Sequence, residues 1–79
     1  MAQTVYVEMR EGESWYDVSG LFLRWCQQHK GVEMGGCHQG DDIGSPHDTL
    51  YAAVSIPDHN PTVVENLREW ASIEGRSTK

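Results

Sequence analysis

Apolar and polar positions change period along this chain in a readable order. Val5, Val7 and Met9 alternate with Tyr6 and Glu8, the two-residue period of a half-buried strand. Arg10-Glu11-Gly12-Glu13 breaks that pattern as a polar turn. Ser14 then stands as a helix N-cap with Asp17 three residues on, a variant of the capping box. Trp15, Val18, Leu21, Phe22, Trp25 and Cys26 recur every three or four residues and give one wide apolar helix face. His29 and Lys30 suit the negative end of that helix, Gly31 marks its stop, and Gly20 inside it suggests a close helix–strand crossing. Residues 35–49 have four glycines and three aspartates without apolar period, which predicts a long loop, with a short strand at Val32-Glu33-Met34 before it. Leu50, Ala52, Val54 and Ile56 alternate as a further strand that Pro57 ends. Asn60-Pro61 starts a second helix, with Val63, Val64, Leu67, Trp70 and Ala71 on its apolar face and Gly75 as its stop.

The predicted fold is therefore a small α/β or α+β domain over residues 1–75, in the order β-α-(β)-β-α, followed by a frayed, disordered tail at 76–79. Both helices are expected on one face of a two- to three-stranded sheet, with parallel strands across a β-α-β crossover. Two strands alone are marginal, so the sheet needs Val32–Met34 as a third strand or a homodimer partner.

Seventy-nine residues allow one domain with a small core. Twelve acidic against six basic residues leave a net charge of −6. This argues against direct nucleic-acid binding, which runs on Lys and Arg, and against an anionic membrane surface. No apolar run approaches the length of a membrane span, and no signal-peptide pattern opens the chain, so the expected location is the cytoplasm. Two cysteines are too few for a disulfide scaffold.

Charge position changes the picture more than its total does. From residue 31 to residue 67 there is no Lys or Arg, while Glu33, Asp41, Asp42, Asp48, Asp58 and Glu65 all fall in that window. Such a tract is either a solvated surface or a carboxylate field that steers a basic partner. On the second reading the contact residues are Glu33, Asp41, Asp42, Asp48 and Asp58. Tyr51 joins them, as an exposed tyrosine near Tyr6 on the sheet face away from the helices. A competing constellation is Cys26, His29, Cys37 and His38 or His47, residue types that suit a zinc-stabilised domain but lack a paired CxxC or HxxxH knuckle. The favoured expectation is no metal and no cofactor. Catalysis has little basis either: no serine has a nucleophile-elbow context, the glycines form no phosphate loop, and His38 beside Cys37 in sequence is a poor candidate base.

In this combination of a small acidic α/β domain, no catalytic motif and a lysine-free acidic tract, the chain resembles the phage-encoded anti-CRISPR proteins. That group has no common motif, so no residue role carries over. The resemblance implies a non-enzymatic inhibitor that binds a CRISPR effector complex in the host cell and blocks its positively charged target-DNA channel. A small acidic antitoxin or nuclease inhibitor would use the same physics on another basic target.

Overall fold

The structure is a computed structural model that describes residues 3–29, 31–44, 48–57 and 61–79. Strand β1 (Gln3–Glu8) is followed by helix α1 (Trp15–Gln27), strand β2 (Glu33–Gln39), a 3-10 turn (Gly40–Ile43), strand β3 (Leu50–Ile56) and helix α2 (Pro61–Ile73). The domain is of the α+β class, with two helices and a three-stranded sheet in the order β1-β3-β2. Both pairings are antiparallel, so β1 and β2 run parallel to one another with β3 inserted between them. This is a split β-α-β unit. The expected direct parallel pairing of consecutive strands is corrected by that insertion.

One face of the sheet carries the core. Val5 and Val7 of β1 and Ala52, Val54 and Ile56 of β3 are almost wholly buried, and the register sets Val5 against Val54 and Val7 against Ala52. Val18, Phe22, Trp25 and Cys26 of α1 and Val64, Leu67 and Ala71 of α2 join them in one cluster. Phe22 meets Trp70 edge-on at 5.5 Å, which links the two helices.

Local chemistry accounts for the helix ends. Ser14 is extended, and its hydroxyl accepts the Asp17 N–H at 3.2 Å while donating to the Asp17 carboxylate at 2.9 Å. Helix α1 ends at Gln27, before the expected stop at Gly31. Gly31 instead turns the chain in the left-handed region at φ +79°, where an added Cβ would lie 2.9 Å from Pro57 Cγ. Gly20 marks no close crossing: a Cβ there would meet nothing within 4 Å. Helix α2 closes with Gly75 at φ +74° and the Arg76 N–H on the Ala71 carbonyl at 2.7 Å, a Schellman-type cap.

Two sequence expectations are corrected here. The stretch from residue 35 to 39 is strand, not loop, so β2 is a full third strand and the sheet needs no dimer partner to complete it. A bulge at Gly35 and Gly36 interrupts its register between Met34 and Cys37, which is why no alternation was visible. The tail expected to fray lies along the outer edge of β1. Tyr6 and Lys79 exchange two backbone hydrogen bonds (3.0 and 2.8 Å), and the Glu8 N–H donates to the Ser77 carbonyl at 2.8 Å.

Candidate acidic binding surface

Several exposed carboxylates gather at one end of the sheet. Asp41 and Asp42 stand exposed on the 3-10 turn that continues β2. Gly44, left-handed at φ +79°, closes that turn. The Gly40 N–H donates to the Thr49 carbonyl at 2.6 Å, which fastens the turn to the start of β3. Beside it opens a cleft of about 570 Å³, whose lining includes Glu8, Glu11, Glu13, Asp48 and Thr49 together with Arg10. Asp41, Asp42 and Asp48 are thus brought to one region, and Glu8, Glu11 and Glu13 add to it from the far side of the cleft.

Glu33 does not join them. It begins β2 while the turn follows Gln39, a separation of roughly 20 Å along the strand at its usual rise. Asp58 lies outside the described residues. Tyr51 is corrected from an exposed contact to a buried residue: it does sit on the face away from the helices, between Glu8 and His38 in register, but is only 3% exposed. On that face the ring of Tyr6 meets His38 edge-on at 5.5 Å across the middle strand.

A buried cation underpins the acidic end. Arg76 is 4% exposed, and its guanidinium forks onto both oxygens of Glu13 at 2.6 and 2.7 Å. It also donates to the Glu8 carbonyl at 3.1 Å and lies over the Phe22 ring, 5.1 Å from its centre. The Glu13 carboxyl is held well below its ordinary value, to about 2. The hydrogen bonds from Arg76 are the main cause, opposed by burial and assisted by the Arg10 backbone N–H. Arg10 also reaches Glu13 at 3.5 Å and donates to the Glu74 carbonyl at 3.1 Å. Both arginines described at this end are therefore engaged by Glu13, which leaves Glu11, Asp42 and Asp48 as outward-facing charge. Nothing in the sequence marked Glu13 or Arg76, because their pairing spans 63 positions and depends on the helix cap that turns Arg76 inward.

The cysteine and histidine candidates are scattered. Cys26 is in the core, and His29 stacks on Trp25 at 4.1 Å with Nδ1 3.2 Å from the Trp25 carbonyl oxygen. Cys37 and His38 point to opposite faces of the sheet, as successive strand residues must. The Cys37 thiol sits 3.7 Å from the Met9 sulfur, and burial pushes its pKa up, which disfavours the nucleophilic thiolate. His47 lies outside the described residues. Among the described residues no group of three or more His, Cys, Asp or Glu side chains is placed to hold a metal ion. No described helix is long and apolar enough to cross a membrane.

Comparison with known proteins gives no match among protein-family models, curated sequences or solved structures.

Proposed function

We propose that this protein is a non-enzymatic inhibitor whose acidic end docks on a basic, nucleic-acid-binding protein surface, and that its target is the DNA channel of a CRISPR effector complex. The observation that supports this reading is the meeting of Asp41, Asp42 and Asp48 with an acidic cleft whose one lining arginine, Arg10, is already engaged by Glu13. Carboxylates held on a hydrogen-bonded turn keep their spacing, so they meet a partner's Lys and Arg side chains without the ordering cost of a mobile loop. The channel that holds a guide–target duplex is lined with positive charge and is complementary to such a surface. Occupying it excludes DNA by competition for the same cations.

The test is charge reversal. Asp41→Lys with Asp42→Lys should lower affinity for the effector at least about tenfold, with a smaller dependence on salt, because opposed charges become like charges. Circular dichroism should show the fold unchanged, since Asp42 is exposed and the turn is held by backbone hydrogen bonds. Full inhibition by the folded double variant would remove this pair from the mechanism.

A further inference from the structure

The segment after α2 occupies the outer edge of β1, and what it covers is self-complementary. Antiparallel pairing alternates, so the N–H and C=O groups of Val5 and Val7 serve the ladder with β3 while those of Thr4, Tyr6 and Glu8 face the other way. Ser77–Lys79 satisfies the N–H and C=O of Tyr6 and the N–H of Glu8 on that outer side, while the Arg76 guanidinium donates to the Glu8 carbonyl, and Thr78 bridges Val7. The Ser77 N–H adds a bond to the Glu8 carboxylate at 3.2 Å. This strap is short, and Gly75, left-handed at φ +74°, is the joint that swings it off the helix. Short exposed ladders of this kind open locally at low free energy.

We propose that the strap is an autoinhibitory strand: it holds the domain monomeric, and its release lets β1 pair with β1 of a second copy about a two-fold axis at Tyr6. The register argues for that occupant. Centred on Tyr6, antiparallel pairing sets Tyr6 against the second copy's Tyr6 and Thr4 against its Glu8, so no like charges face each other. On the opposite face Val5 meets the second copy's Val7, joining two apolar faces into one. Aromatic and β-branched pairs of this sort stabilise cross-strand contacts. The interface is isologous and closes at two copies, giving one continuous six-stranded sheet.

The experiment compares the intact chain with a chain ending at Arg76, which keeps the Glu13 pair. Light scattering after size exclusion should give a monomer for the intact chain and a doubled mass for the shortened one. Hydrogen exchange at the Tyr6 and Glu8 amides of the shortened chain should slow by about tenfold or more as its concentration rises through the dimer transition. Tyr6→Lys in the shortened chain sets two charges against each other at the axis and should restore the monomer. If shortening prevents folding, Lys79→Pro in the 79-residue chain removes the N–H that bonds Tyr6 and should produce the same dimer. A monomer at every concentration with freely exchanging Tyr6 and Glu8 amides overturns the proposal. So does a dimer that Tyr6→Lys leaves intact.

Discussion

The Glu13–Arg76 pair joins the β1–α1 turn to the segment after α2. Its fork geometry is close to ideal, yet burying a guanidinium is costly, so the pair is better understood as a constraint on shape than as a large net source of stability. Breaking it is another matter. Glu13→Gln leaves the Arg76 charge buried with only neutral acceptors, and should cost on the order of 3 kcal/mol at neutral pH. The pH dependence has a definite sign. The Glu13 pKa is depressed in the folded state, to about 2 from 4.5, so its contribution is complete above the unfolded value and fades as pH falls from near 5 toward 2. Chemical denaturation of the parent and Glu13→Gln proteins should therefore show a stability gap that is constant above pH 5 and closes on acidification. A gap that widens on acidification would contradict the assignment.

Individual elements differ in how well the sequence announced them. Helix α1, β1, β3 and the start of α2 at Pro61 were legible because their apolar periods and the Ser14 cap are written in neighbouring residues. Strand β2 was not: Gly35, Gly36 and the edge position leave it no alternation, and its pairing partner lies more than ten positions away. The acidic end was half legible. Asp41, Asp42 and Asp48 stand within one short stretch of sequence, whereas Glu8, Glu11 and Glu13 reach the same cleft only because β1 and β3 pair. Tyr51 was placed on the correct face, but alternation reports direction and not how closely neighbouring side chains cover a residue.

Glycines separate the same way. Gly31→Ala forces a left-handed residue and a Cβ against Pro57, and should lower stability by about 1–2 kcal/mol. Gly20→Ala adds a methyl group to an exposed helix position with open space, and should raise stability by roughly 0.5–1 kcal/mol. In a domain of this size each kcal/mol moves the melting temperature by several degrees, about 4–8 °C, so thermal unfolding distinguishes the two glycines.

At the scale of the whole molecule, the architecture sets where charge collects. The helices cover one sheet face, and the turn after β2 meets the start of β3 at an end of the sheet where carboxylates collect. Large apolar side chains left exposed among the described residues, Tyr16 at 88%, Ile73 at 77% and Leu23 at 48%, lie on the helices. The central claim is that the acidic end competes with DNA for a basic protein surface. The most direct measurement is an affinity capture from bacterial lysates carrying several CRISPR types, at low and high salt, with bound proteins identified by mass spectrometry and target DNA added as competitor. The account predicts that effector subunits are retained at low salt, lost at high salt, and displaced by target DNA. Retention of no effector subunit at any salt, or retention that excess target DNA leaves unchanged, would contradict it.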